Sequence, residues 1–576
     1  MKYKDTLMWK EISETERKKI AADAYRLGIY PLLRDWVLPE TRIHALDSMG
    51  HNWWAVCIGL CGIGILSFYE FTENAEELLE KVWHALKEFC DYKGGVLLNK
   101  PSNFDDKGMF YESLRYFNYG VGELLHFSYI FNRCTGNKEN FADLNKIAEA
   151  FVSMAYFTDS GDAPVKFINF GDSFVDENIN TAAVPEYYEK TGLRKKIFNN
   201  AQLPAYLLLS GAECPGLYTI YNAKQPDYGI SDFVFTEKLR KIPGNDRIIS
   251  APDRIFPDSG YAFLRNSVLP GGTQLSVRSG FTWNHAHDDG GSFTVFDKGL
   301  PLFTDSGSVR YTNPLYVPYF SSAAAHNVVL VNGGGQPRSN NVRGSKFPGS
   351  LPDFYKNGWA KYLLSDQTGA TCRYTDRNYR NFLWLEDDII IIIDDLHSYE
   401  KVEYTLLLHY NGKGAFENGV IKADNGVSCA DVHFISPVSP SVSKKPGYTE
   451  NPANDNEPVP CEYFSLEYGE KTDTALFFGI YLLNSAADEV KIENYVQKDA
   501  VSVILTRGDV RYKIAFNLEA DGRRMHVNSN NTLFGLDTDC YILALKETAL
   551  SEEYLMVYGS YLRDKENSYS DSFKKT

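Results

Sequence analysis

The spacing of apolar residues changes once along this 576-residue chain, and that change dictates two kinds of layer. From about residue 10 to 210 the spacing is helical. Leu78, Val82, Leu86 and Phe89 recur at three- and four-residue steps after an Asn74–Glu77 pair that reads as a capping box. Phe141, Leu144, Ala148, Phe151 and Ala155 form a second stripe, and residues 112–131 read as one long aromatic-rich helix. Trp53 to Phe68 is an apolar run broken by Gly59, Gly62 and Gly64. It falls short of the roughly 20 residues a membrane span needs, so it is read as a buried helix with no membrane span. Helices joined by short polar loops predict pairs packed as a toroid or an array.

Past the Pro- and Gly-containing stretch from Pro243 to Pro257 the pattern becomes that of short strands. Ile389 to Ile393, 403–410, 501–506, 510–516 and 540–545 are the clearest, and they predict an antiparallel β-sandwich. Residues 437–460 hold six prolines and read as a long surface loop or a connection. A chain of this length exceeds one core, so two domains are expected, residues 1–245 helical and 246–576 β, with a small β subdomain after about 440.

Composition narrows the partners. Lys plus Arg number 59 against 75 for Asp plus Glu, a net charge of -16, which argues against nucleic acid; any polyanion must meet a local basic cleft. Aromatics reach 14%, suited to large interfaces and to the faces of sugar rings, although a large aromatic core explains them equally well. Nine scattered cysteines show no paired spacing, so neither a zinc ribbon nor a disulfide scaffold is expected. The N-terminal residues read as a charged helix without a secretory signal. The expected location is the periplasm or the exterior if a leader was removed, and the cytoplasm otherwise. A homodimer is compatible with everything above.

Three of the eleven histidines fall within 42 residues: His285 and His287 in HAHDDGGSF, then His326 in AHN, with Asp305 in DSG between them. Two imidazoles two residues apart on a strand point the same way, and a further carboxylate and imidazole complete the kind of tetrahedral set that zinc takes. A lone HxH is more often ordinary core or surface histidine; Asp305 and His326, each in its own turn, shift the balance toward a site. The HxHxDH pattern of a metallo-β-lactamase fits poorly, because Gly290 stands where a third ligand belongs and the α-then-β layout lacks the alternation that fold requires.

The string HAHDDGGSFTVFDKGLPLFTDSGSVRY, followed by YFSSAAAHNVVLVNG, resembles the heparinase II/III signature. Upstream, GHNWWAVCIGLCGIGIL resembles that family's Asn-bearing helix start, and FYESLRYFNYG its Glu, Tyr and Tyr-Gly segment. Ser113 stands where the family commonly has Gly, and Trp53-Trp54 replaces an Asn-His pair seen in some members. The resemblance implies an α+β chain, an N-terminal (α/α) toroid followed by an antiparallel β-sandwich, that degrades a uronate-containing acidic polysaccharide by β-elimination.

Such an elimination must neutralise the C6 carboxylate, remove the C5 proton and protonate the departing oxygen. The resemblance implies Asn52 and His285 for the carboxylate, and Tyr116 as acid and as candidate base, its phenol lowered by a nearby cation. It implies a structural zinc ion held by His287, Asp305 and His326. Trp53, Arg115, Tyr311, Tyr319 and Arg338 are candidates for binding the acidic polysaccharide or oligosaccharide, as is Arg310. Tyr111 and Tyr119 are rivals to Tyr116. The alternatives are a metal-dependent glycan hydrolase and a non-catalytic carbohydrate-binding protein.

Overall fold

The computed structural model describes residues 7–38, 50–95, 101–159, 165–176, 202–223, 252–281, 284–336, 347–451, 454–564 and 568–570. The expected boundary at 245/246 and Arg338 lie outside them. Helices fill the first part and antiparallel ladders the second.

The glycine-interrupted run forms the helix Asn52–Ser67, buried along most of its length. Its glycines are what let a neighbour come close: a Cβ at Gly62 would stand 2.3 Å from the Phe127 ring, and one at Gly59 3.0 Å from the Glu123 carbonyl. The neighbour is the helix over residues 114–135, which has a π turn at Phe117–Val121 just after Tyr116. The helix Ala75–Asp91 buries Leu78, Leu79, Val82, Trp83, Leu86 and Phe89 against the same core. Asn74 precedes it as expected, but with φ 53° and no side-chain cap bond, so the capping box is not formed. No helix among the described residues is long and apolar enough to cross a membrane. All nine cysteines are free thiols.

Helical spacing does not hold to residue 210. The helix Leu144–Ser153 stops before Ala155, which begins a two-stranded hairpin, Ala155–Phe157 with Val165–Phe167. Its exit carries the turn at Gly171 and Asp172 into contact with the β region.

The β region is more than a two-sheet sandwich. Its centre is an eight-stranded sheet in which Ile389–Val402 is flanked by Thr375–Leu385 and Thr472–Leu483. Ile390 and Ile392 face one core, shared with a five-stranded sheet (Arg254–Phe256 through Leu300–Phe303) and a four-stranded sheet. Ile389, Ile391 and Ile393 face a second core, shared with the C-terminal five-stranded sheet. A strand buried on both faces cannot alternate apolar with polar residues, so the isoleucine run reveals a strand but hides the third layer. The Pro-rich stretch also differs from expectation: Ser441–Thr449 is a strand at a sheet edge, where Pro446 withholds no needed ladder donor.

Gly62→Ala is expected to destabilise the protein by about 1–3 kcal/mol through overpacking against Phe127, read as a lower denaturant midpoint.

Candidate active site

The site forms where the hairpin exit, the start of the helix Asn52–Ser67, the segment 111–116 and three loops of the β region meet. The histidines of the HAH motif lie in the loop before the strand Ser292–Asp297, not on a strand. His285 has φ 56°, a left-handed conformation that bends the chain there and is sparsely populated for such a side chain. Both imidazoles nevertheless turn toward one group, because Asp172 comes to meet them. Asp172 N–H donates to the His285 carbonyl (3.2 Å), an approach open because Gly171 has no Cβ: one would lie 2.9 Å from that same oxygen.

Asp172 is buried and surrounded by donors: His285 Nδ1 (3.0 Å), His287 Nε2 (3.0 Å), Ser308 Oγ (3.0 Å), Tyr311 OH (2.9 Å) and Tyr316 OH (3.1 Å). Burial alone would raise its pKa, but the bonds from His285 and His287 outweigh it and hold the carboxyl well below the usual range. Sequence reasoning missed this residue. Its signal was weak, a Gly-Asp pair in NFGDSF.

Tyr116 and His285, predicted together, are in contact: their rings stack face to face with centroids 3.4 Å apart. The Tyr116 and Tyr311 hydroxyls share a hydrogen bond, and Tyr311 OH also lies 2.8 Å from His285 Nδ1. Burial, then the charge of Asp172, raises the Tyr116 phenol despite the nearby Arg115. The phenol is therefore not lowered as expected; it is held protonated. Tyr311 is pushed the same way, first by burial and then by Asp172. Tyr311 has half its surface exposed while its hydroxyl reaches inward, so it belongs with Tyr116 rather than at a distant binding surface.

Asn52 is fully buried beside this cluster. Its backbone N–H (3.1 Å) and side-chain Nδ2 (2.7 Å) both donate to Glu112. The cap of its helix is His51, whose Nδ1 accepts from Trp53 N–H (3.1 Å). Asn284 reaches His51 (3.0 Å) and Glu112 (3.4 Å), which joins the HAH loop to the helix start. Burial raises the Glu112 pKa, partly offset by His285 and the two asparagines. Asn52 thus meets the cleft through Glu112 rather than directly.

The proposed metal residues are brought together. His326 Nδ1 lies 2.7 Å from Asp305 Oδ2, and the His287 and His326 rings are 5.2 Å apart. All three side chains are buried, and His287 Nδ1 and His326 Nε2 have no hydrogen-bond partner among the described residues. Two buried imidazole nitrogens without partners and a carboxylate are a donor set that fits zinc. No group of three such side chains among the described residues stands close enough to hold an ion as placed. Two supports fix the loops from below. Arg380 pairs with Asp394 (2.5 Å) and donates to the carbonyls of Gly291 (2.6 Å) and Asn327. Asn327 Nδ2 donates to the carbonyls of Phe293 (2.7 Å) and Thr304 (3.0 Å).

The other predicted binding residues scatter. Trp53 is exposed at the rim, its ring 5.2 Å from that of His51, which lies 6.1 Å from His285. Arg115 lies over the Phe174 ring (5.1 Å). Arg310 is paired with Asp455 (2.9 Å). Tyr319 packs on Tyr448 and approaches Ser306 (3.4 Å), away from the Tyr116 and His285 pair. Of the rivals to Tyr116, Tyr111 bonds the Gly50 carbonyl, and Tyr119 is half-buried in the π turn Phe117–Val121.

Helices bring Asn52 and Tyr116 to a β region that carries the HAH, DSG and HN loops, and the fold of this two-part chain is similar to that of solved heparinases. Residues 249–434 match the family described as Heparinase II/III-like, C-terminal. Among solved structures the fold is similar to the heparinase III BT4657 gene product, at 14% identity with TM-score 0.57, covering 87% of this chain and 68% of that one. It is also similar to heparan sulfate lyase HepC from Pedobacter heparinus, at 13% identity with TM-score 0.54, covering 84% and 67%. An alginate lyase from Stenotrophomonas maltophilia (strain K279a) is 23% identical over 382 residues, 63% of this chain. The chain matches about half of that curated relative, 47% of its length.

Gly171→Ala is expected to cost about 1–3 kcal/mol of stability, since a left-handed residue would gain a Cβ against the His285 carbonyl; equilibrium unfolding measures it.

Proposed function

We propose that this chain is a polysaccharide lyase that cleaves a uronate-containing acidic polysaccharide by β-elimination, leaving a 4,5-unsaturated uronate end. The observation that carries the reading is the Tyr116 and His285 stack, with the Tyr116 hydroxyl bonded to Tyr311. It brings together a phenol from the helices, an imidazole and a second phenol from the β loops. The proposal includes closure of the helices into an (α/α) toroid over residues 1–245, with residues 246–576 as the β part.

In this scheme the substrate carboxylate lies against His285, backed by the Asn52, Glu112 and Asn284 cluster. One phenol of the Tyr116 and Tyr311 pair first gives up its proton to water; as the phenolate it takes the C5 proton and then passes it to the departing glycosidic oxygen, so the pair returns to the phenolate state in which the step began. Burial raises both phenols, so the ionised form that serves as base is the scarce one. His287, Asp305 and His326 would hold a zinc ion, whose contribution when bound is to order the loop that carries His285. Trp53 at the rim offers a ring face to a sugar unit. Arg310 is already neutralised by Asp455, and the net charge is -16; both favour a weakly sulfated or non-sulfated polymer. So does the alginate lyase relative.

Incubation with alginate, hyaluronan, chondroitin, heparan sulfate and gellan-type polymers is expected to raise the ultraviolet absorbance of the conjugated double bond with at least one. New reducing ends without that absorbance would instead favour a metal-dependent hydrolase; binding without turnover would favour a carbohydrate-binding protein. Tyr116→Phe and Tyr311→Phe should each lower kcat by about 100-fold or more with unchanged unfolding curves. His326→Ala should remove bound zinc, measured by elemental analysis, and lower the melting temperature as well as the rate.

A further inference from the structure

We propose that Asp172 is a positioning residue that sets opposite tautomers on the two histidines of the HAH motif, one with each carboxylate oxygen. Oδ2 faces His285 Nδ1 and Oδ1 faces His287 Nε2, each at 3.0 Å. Ser308 supplies a further donor to Oδ1, and Tyr311 and Tyr316 supply two to Oδ2. A carboxylate among five donors acts as acceptor only, and Tyr311 OH, 2.8 Å from His285 Nδ1, gives its one proton to Oδ2, so each imidazole presents an N–H to the carboxylate. His285 therefore carries its proton on Nδ1 and His287 on Nε2.

The consequence is a division of labour between residues two positions apart. In the neutral rings the lone pairs sit on His285 Nε2 and His287 Nδ1. His287 Nδ1 is a buried nitrogen with no hydrogen-bond partner among the described residues, on the ring that neighbours His326. It is the nitrogen that a metal shared with Asp305 and His326 would use, while the other ring N–H is held by a carboxylate, the usual support for a ligating histidine. His285 Nε2 is the nitrogen left for a ligand in the cleft, on a ring clamped against Tyr116; a substrate carboxylate there meets a donor only on the imidazolium, in which Nδ1–H stays on Asp172 and Nε2–H is added. Asp172 belongs to the hairpin exit of the helical part and the histidines to the β part, so both tautomers are set only when the two parts are docked. The left-handed His285 and the missing Cβ of Gly171 are what allow one short turn to reach both rings.

What His285 does in the cleft rests on the lyase reading; the tautomers do not. The test is long-range proton–nitrogen correlation on the full chain labelled with 15N-histidine, assigned with His285→Ala and His287→Ala. The expected result in the unsubstituted protein is one ring protonated on Nδ1 and the other on Nε2. Two rings with the same tautomer, or the reverse assignment, would overturn the proposal. Asp172→Asn offers one acceptor and one donor, so it should convert at least one ring. It should also lower zinc content and reduce kcat by at least tenfold more than it changes KM. Ser308→Ala removes a donor without touching either ring and should leave both tautomers in place. A folded Asp172→Asn protein with both tautomers and zinc retained would also overturn it. If no uronate polymer reacts while the tautomers are as stated, the lyase reading fails and this one stands.

Discussion

A buried carboxylate is costly unless every lone pair finds a donor, and the cost in protein interiors is several kcal/mol. Asp172 meets that demand with two imidazoles and three hydroxyls drawn from residues 285–316 of the β region, with neither an arginine nor a lysine among the five donors. The rest of the site depends on this contact. It draws the HAH loop, Tyr311 and Tyr316 to the exit of a hairpin in the helical part, so the cleft exists at the junction of two differently built halves. The loops cannot drift from the other side either, because Arg380, neutralised by Asp394, ties the carbonyls of Gly291 and Asn327 to the central sheet.

Around that anchor the electrostatics follow from burial. Phenols at Tyr116 and Tyr311 are kept protonated by desolvation and by the same Asp172 charge, and Glu112 is raised by desolvation. On the proposed reading, a chain with a net charge of -16 meets an acidic polymer without a broad basic surface. It offers a small set of oriented imidazole, amide and hydroxyl groups, which is a way to hold a carboxylate without a field that binds polyanions indiscriminately. The residues proposed to hold a metal, His287, Asp305 and His326, are buried.

Much of the architecture was legible from spacing. The helices at 52–67 and 75–91 and the strands around 389, 404, 501, 510 and 542 lie where periodicity put them, because local patterns report which face is buried. The clustering of His285, His287, Asp305 and His326 was legible from motif and resemblance, as was the pairing of Tyr116 with His285. Other features were not. The hairpin at 155–167 interrupts a helical stretch, a proline-bearing strand occupies an expected loop, and the central isoleucine strand hides a third layer by being apolar on both faces.

The sequence by itself determined the order of helices and strands and the presence of a histidine and tyrosine site, since both are written in short-range spacing and residue type. Only the tertiary structure decided that the HAH motif is a bent loop, that Tyr311 joins Tyr116 while Tyr319 turns away, and that Asp172 stands between the two histidines. The physical reason is separation along the chain. Asp172 lies 113 residues from His285, and no local pattern records which distant donors will satisfy a carboxylate once both are removed from water.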